Sequence, residues 1–317
     1  MANGKSITKN GGDLLEPEAP VTWLGIYLPE SFTDAPQRAL HFRQSWGKKI
    51  AILSFYLAWG SDHYQPDLAG INKIIKSGYL PMITWEPWRR PEDLVGKRPE
   101  EQSDFSLQSI LAGNYDDYIR QWAQSLKELT HPIFFRPMHE MNGNWYPWCG
   151  KVNGNSPEKY VAAWRYIRSI FRQAKNDKLI WVWCPYVHSV PDEPDNEFLH
   201  YFPGINEVDW LALDGYNWGT SREWSRWQSF QDIFANAYSR LTGSFPEKPI
   251  MIAEVGCAEE GGDKSSWIAE AAGILQERFP GIKAVVWFNI NKECDWRIES
   301  SENSLLSFQK NWNFTSS

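Results

Sequence analysis

Eight short apolar runs, separated by segments with helical spacing, limit what this chain can fold into more than any other feature. The runs are residues 22–28, 49–56, 79–85, 132–138, 179–184, 209–213, 249–253 and 283–288. Most are apolar throughout and bounded by Gly or Pro, the pattern of parallel strands covered on both faces. The segments between them read as helices. Residues 116–129 place Tyr118, Trp122, Leu126 and Leu129 on one face. Residues 264–279 do the same with Trp267, Ala271, Ile274 or Leu275, and Phe279, and stop at Pro280-Gly281. Residues 156–175 open with Ser156-Pro157-Glu158, a capping serine followed by proline at the first helical position. Tyr160, Trp164, Ile167 and Phe171 follow at helical spacing.

Eight such units in 317 residues are the arithmetic of a single (β/α)8 barrel, an α/β fold. A doubly wound sheet would carry a Gly-rich phosphate turn after its first strand. That position reads Gly25-Ile26-Tyr27-Leu28-Pro29, which is no such turn. No linker or internal repeat interrupts the pattern. One barrel domain is therefore expected over residues 21–317, behind a leader, 1–20, that reads as disordered because it has no periodicity.

In such a barrel the working face lies at the C-terminal ends of the strands. Two carboxylates stand out there. Glu140 is delivered by the apolar run Pro132-Ile133-Phe134-Phe135 into the loop Met141-Asn142-Gly143-Asn144-Trp145-Tyr146-Pro147-Trp148. Strand alternation sets Phe134, Arg136, Met138 and Glu140 on one side, with Phe135, Pro137 and His139 on the other. Glu254 closes Ile250-Met251-Ile252-Ala253, so its charge should be half buried. Such a pair is either a salt-bridged structural feature or the machinery of glycoside hydrolysis. That reaction needs one carboxyl to protonate the leaving oxygen and one to attack the anomeric carbon. The two tasks demand different pKa values, hence different surroundings.

The aromatic content favours sugar chemistry. The chain has 19 Trp, 13 Tyr and 16 Phe. Each buried indole N–H needs a partner, so this number suggests exposed surfaces that stack on pyranose rings. Trp85, Trp88, Trp145, Trp218 and Trp287 are candidate platforms, about half of them expected in the core. Glu86, Asp214 and Asn142 are candidate orienting or substrate-binding groups. Arg136 should be a buried barrel cation paired with an acid.

Other classes fit poorly. Net charge is −7 and no Lys/Arg run stands out, which argues against nucleic acid. No apolar run reaches transmembrane length, and residues 1–20 hold no secretion-type apolar stretch. The compartment stays open between the cytoplasm and an exported form lacking its signal. The four cysteines, Cys149, Cys184, Cys257 and Cys294, have no zinc-ligand spacing, so neither metal nor cofactor is expected. Strand order pairs them as Cys149–Cys184 and Cys257–Cys294, so two disulfides near the mouth compete with four free thiols.

The run Phe135-Arg136-Pro137-Met138-His139-Glu140-Met141-Asn142-Gly143, followed by Trp145, resembles glycoside hydrolase family 26, one of the clan A barrels. Asp214-Gly215-Tyr216 and Ile252-Ala253-Glu254-Val255-Gly256 match that family's strands six and seven. The resemblance implies a retaining endo-β-glycanase; a monomer is expected, its partner a β-linked polysaccharide. The resemblance makes Glu140 the acid/base, Glu254 the nucleophile and Tyr216 the group that holds Glu254. It sets His139 at substrate near the −1 sugar, steering Glu140. The retaining mechanism sets the two carboxyls about 5–5.5 Å apart. Trp145-Tyr146-Pro147-Trp148 departs from the adjacent aromatics common in the family's mannanases and looks closer to its mixed-linkage β-1,3-1,4-glucanases. Endo-β-1,4-mannanase is the alternative. Two rivals come from other classes. A non-catalytic sugar-binding barrel would keep the tryptophans and lose a carboxylate. A metal-dependent hydrolase would carry His-x-His after strand one, where this chain has Tyr27-Leu28-Pro29.

Overall fold

A computed structural model describes residues 23–60, 64–96 and 98–314; the leader 1–20 lies outside them. Eight parallel strands close into a barrel in chain order. They are β1 (Trp23–Tyr27), β2 (Ile52–Ala58), β3 (Leu80–Glu86), β4 (Ile133–Pro137), β5 (Leu179–Trp183), β6 (Trp210–Asn217), β7 (Ile250–Cys257) and β8 (Ile282–Phe288). Closure is made by β8 against β1, from Trp23 opposite Ala284 to Tyr27 opposite Phe288. The helices between and after them are α1 (Ala35–Trp46), α2 (Leu68–Lys76), α3 (Leu107–Leu111), α4 (Asp116–Lys127), α5 (Pro157–Gln173), α6 (Phe230–Ser244), α7 (Lys264–Glu277) and α8 (Glu302–Asn311). The expected barrel is the observed one.

Local chemistry fixes where helices start. Ser156 caps α5 by accepting from the Lys159 N–H, with Pro157 in the first turn. Ser229 and Asp232 form a reciprocal capping box on α6. Gly215 lies where the β6 backbone meets α6; a Cβ there would come within 2.8 Å of the Phe234 ring. Only glycine permits that approach.

The core has two parts. Inside the barrel, Ile52, Met82, Phe134, Val182, Trp210, Ala212, Met251, Ala253, Ala284 and Val286 form an apolar plug. Outside it, the strands pack on the helices through a shell rich in indoles. That shell corrects the inference drawn from tryptophan content, because most of the 19 tryptophans are buried. Five of their N–H groups find backbone carbonyls: Trp122 donates to Tyr64, Trp164 to Glu207, Trp267 to Gln228, Trp287 to Trp296 and Trp312 to Ile268; those of Trp59, Trp85, Trp88 and Trp183 are buried without a hydrogen-bond partner among the described residues. Backbone carbonyls thus satisfy several of the donors that sequence reasoning assigned to exposed surfaces. Among the described residues no helix is long and apolar enough to cross a membrane.

Candidate active site

Directly beyond the apolar plug, side chains from five strands meet around one cation. Arg136 on β4 is fully buried. Its Nε and Nη2 donate to Thr84 Oγ1 at 2.9 and 2.7 Å. Its Nη1 forks onto both oxygens of Asp214 at 2.9 and 2.7 Å. Its Nη2 also reaches Glu254 Oε1 at 2.6 Å and the Tyr56 hydroxyl at 3.2 Å. A planar guanidinium suits this task because its donors diverge in a fixed fork. The buried cation expected at Arg136 is therefore present, and it serves two acids.

Two breaks in strand alternation turn the carboxylates toward this cluster. At the end of β4, Met138 and Glu140 take left-handed backbone conformations, φ 49° and 52°. Such conformations cost on the order of 1–3 kcal/mol each in a residue other than glycine. Met138 consequently joins the helix-facing core, where its carbonyl accepts from the Tyr160 hydroxyl. His139 and Glu140, neighbours in sequence, both reach the mouth. This corrects the simple alternation that grouped Met138 with Arg136. On β7 the register slips beside Glu254. Leu213 pairs with Ile252 but Asp214 with Glu254, and Ile252 pairs with Val285 but Val255 with Trp287. This bulge lets Ala253 face the plug while Glu254 faces the mouth.

The two carboxyls are driven in opposite directions. Burial opposes the charge on Glu254, but the Arg136 guanidinium outweighs it, and hydrogen bonds from Tyr216 and Tyr56 assist. Its pKa falls to about 2. The Tyr216 hydroxyl donates to Glu254 Oε2. Burial raises Glu140, the neighbouring charge of Glu254 raises it further, and its pKa reaches about 8. The Trp145 indole donates to Glu140 Oε2 at 2.7 Å, which partly offsets that rise. Gly143 makes the contact possible, since a Cβ there would lie 2.5 Å from the Trp145 ring.

His139 is buried, and burial together with Arg136 lowers its pKa to about 3, so it is a neutral imidazole. Its Nε2 lies 3.7 Å from Glu254 Oε1. Neither ring nitrogen has a hydrogen-bond partner among the described residues. The ring sits between Tyr56 and Tyr146, at centroid distances of 6.0 and 4.9 Å. Glu86, at the end of β3, is raised to about 8 by burial. His139, Asp214 and Glu254 bring potential ligand atoms within 4.8 Å of one another. Arg136 already bonds both carboxylates, so a divalent ion would have to displace a guanidinium and then lie against its charge. The donor set fits the arginine and not a metal.

Not every candidate belongs here. Trp85 lies against Trp59, Tyr118, Trp122 and Phe171 beneath the helices. Trp287 lies against Trp267, Phe308 and Trp312. Both point outward from their strands and offer no face to the mouth. Asn142 is also a scaffold residue, because its amide exchanges hydrogen bonds with the backbone of Tyr186. Trp88 is nearly buried behind Tyr146 and Trp148. Trp145 and Trp218 keep partial exposure. All four cysteines are free thiols, the second of the two alternatives drawn from strand order. Cys184 points inside the barrel toward Arg136, whereas the Cys149 thiol faces the Glu140 carbonyl. Cys257 contacts the Asn217 amide. The residues sequence reasoning missed are Tyr56, Thr84, Tyr146 and Tyr186. Tyr56 and Thr84 share the inward phase of their strands, a signal that was available; Tyr146 and Tyr186 depend on loop geometry.

A family model described as glycosyl hydrolase family 26 matches residues 100–294. Endoglucanase H of Acetivibrio thermocellus is 36% identical over 293 residues, 91% of this chain and 29% of that protein. A mannan endo-1,4-beta-mannosidase of Bacillus subtilis is 27% identical over 203 residues, 60% of this chain and 48% of that protein. The chain thus spans less than half the length of these curated relatives. A solved GH26 beta-mannanase from Bacteroides ovatus superposes with a TM-score of 0.66 at 18% identity, covering 94% of this chain and 90% of that one. It shares the fold. The matched family model spans β4 to β8, the strands that deliver Arg136, His139, Glu140, Asp214, Tyr216 and Glu254, and the chain belongs to glycosyl hydrolase family 26.

Proposed function

We propose that this chain is a retaining endo-β-glycanase acting on mixed-linkage β-1,3-1,4-glucan. The observation that carries the chemistry is the opposite displacement of two neighbouring carboxyls, Glu254 down to about 2 and Glu140 up to about 8. At neutral pH one is an ionised nucleophile and the other a loaded acid. Glu254 attacks the anomeric carbon while Glu140 gives its proton to the departing glycosidic oxygen. Glu140, now a carboxylate steadied by the Trp145 indole, then takes a proton from water. That water attacks the anomeric carbon and releases Glu254. Arg136 and Tyr216 hold one Glu254 oxygen each and favour its charged form as the leaving group in this second step. His139, with both nitrogens unpartnered, has a donor and an acceptor for sugar hydroxyls.

The substrate assignment rests on the relatives' names. The match named an endoglucanase covers 91% of the chain, whereas those named mannan endo-1,4-beta-mannosidase cover 60% or less. Mannan is the second reading, favoured by the number of mannanases among the relatives and structural neighbours. Barley β-glucan, lichenan, mannan, glucomannan and β-1,3-xylan offered in parallel, with products separated by chromatography, test the choice. Release of oligosaccharides from β-glucan and lichenan is expected, with the β-anomer formed first by NMR. Cleavage confined to mannan would replace the substrate, and an inverted first product would overturn the mechanism.

A further inference from the structure

We infer that Trp224, backed by Trp218, is a distal platform that binds the glycan chain beyond the bond being cleaved. Trp224 is 72% exposed, the highest exposure of any large aromatic side chain among the described residues. Of the other exposed apolar side chains, Leu40 and Leu306 lie on helices around the barrel, and Tyr64, Val95 and Ile205 lie on connecting segments. Trp224 lies on the loop after β6, at the end of the barrel that holds Glu254. Every other tryptophan among the described residues is buried or partly covered, so this indole is the exception in a chain that otherwise hides them. A lone exposed apolar side chain needs no explanation; what distinguishes Trp224 is its place on the loop after β6 and its contact with Trp218, whose ring centroid is 5.2 Å away.

A continuous aromatic path joins this surface to the reacting groups. Tyr216 donates to Glu254. The Tyr216 ring is 6.3 Å from Trp218, and Trp218 is 5.2 Å from Trp224. The mount is rigid. The Asn217 side chain accepts from the backbone N–H groups of Gly219 and Gln228, pinning both ends of the loop. Ser225 bonds the Gly219 carbonyl, and Thr220 bonds the Glu260 carbonyl across to the β7 loop. Arg222 stacks on Trp218 and donates to the Glu293 carbonyl of the β8 loop. A preorganised flat face, in ring contact through Trp218 with Tyr216, suits the apolar face of a pyranose ring away from the point of cleavage. The occupant is the β-linked glycan itself, because aromatic contacts run unbroken from Trp224 through Trp218 to Tyr216, which bonds Glu254.

This inference rests on the proposed function, and its test separates the two. Wild type, Trp224→Ala and Trp224→Phe are compared on long β-glucan and on a short aryl β-glycoside that fills only the sites next to the carboxyls. Wild-type turnover of any β-glycan reads the proposed function. The ratio of variant to wild type reads the platform. Trp224→Ala is expected to raise KM on the polymer about three- to ten-fold, the range for one aromatic contact. Its kcat on the polymer and its kinetics on the aryl glycoside should stay unchanged, and Trp224→Phe should recover most of the loss. An unchanged KM on the polymer overturns the platform. So does an equal loss on both substrates, which would mean that the loop merely supports Tyr216.

Discussion

Replacing Glu140 with glutamine is expected to stabilise the folded chain at alkaline pH and to leave its stability nearly unchanged at pH 4. Burial and the Glu254 charge raise the Glu140 pKa from 4.5 to about 8 in the folded state. Below pH 4.5 the group is protonated in both folded and unfolded chains and contributes nothing. Between pH 4.5 and 8 the unfolded chain releases this proton while the folded chain keeps it, so stability falls as pH rises. The span corresponds to about 5 kcal/mol at 1.36 kcal/mol per pH unit, reached above pH 8 as a ceiling. Glutamine has the same shape, still offers an oxygen to the Trp145 indole, and does not titrate. For a chain of this size each kcal/mol moves the melting temperature by about 2 °C, so the difference should approach about 10 °C. Thermal unfolding of both proteins, followed by circular dichroism from pH 4 to 9.5, measures it. A difference that is constant across that range, or largest at acid pH, would refute the raised pKa and the assignment of Glu140 as the loaded acid.

The same displacements predict a kcat/KM profile whose alkaline limb lies near pH 8 and whose acid limb lies well below pH 4, read on a soluble aryl glycoside. Tyr216→Phe removes a hydrogen bond to a charged carboxylate, about 1.5–3 kcal/mol, so the acid limb should rise by one to two pH units; an unmoved limb counts against this bond. Arg136→Met leaves Asp214 and Glu254 buried without their cation and should cost about 3–5 kcal/mol in urea unfolding as well as activity. A chelator such as EDTA should leave activity unaltered, because Arg136 occupies the position a metal would need; loss that zinc or calcium restores would contradict this.

Much of the barrel was legible because its strands are short, apolar and regularly spaced, and all eight lie where hydrophobic periodicity placed them. The carboxyls were legible for a related reason: a charged residue closing an apolar run, as Glu254 does after Ala253, has few bland explanations. What periodicity hides is backbone that departs from it. Nothing in Met138-His139-Glu140 announces two left-handed residues, and alternation therefore put Met138 beside Arg136. The tryptophans misled for a different reason. Trp85 and Trp287 stand next to Glu86 and Phe288 in sequence, but neighbours on a strand face opposite ways, and each indole belongs to the helix side. Asn142 looked free for a sugar because its acceptor and donor, the backbone of Tyr186, come from another strand end.

The slip in β7 also divides that strand into two reading frames. Up to Ala253 the inward positions are odd-numbered; from Glu254 onward they are even-numbered, with Val255 turned to the helices and Gly256 lying against Tyr216 and Trp296. The base of the barrel and its mouth are thus spelled in different frames of one strand. Substitutions that repack Met251 or Ala253 alter the plug without rotating Glu254. Loss or gain of a single residue between them would flip one half against the other. The foundation of the barrel is in this way uncoupled from its mouth, and a change of length at this point would disturb the strand more than a change of composition.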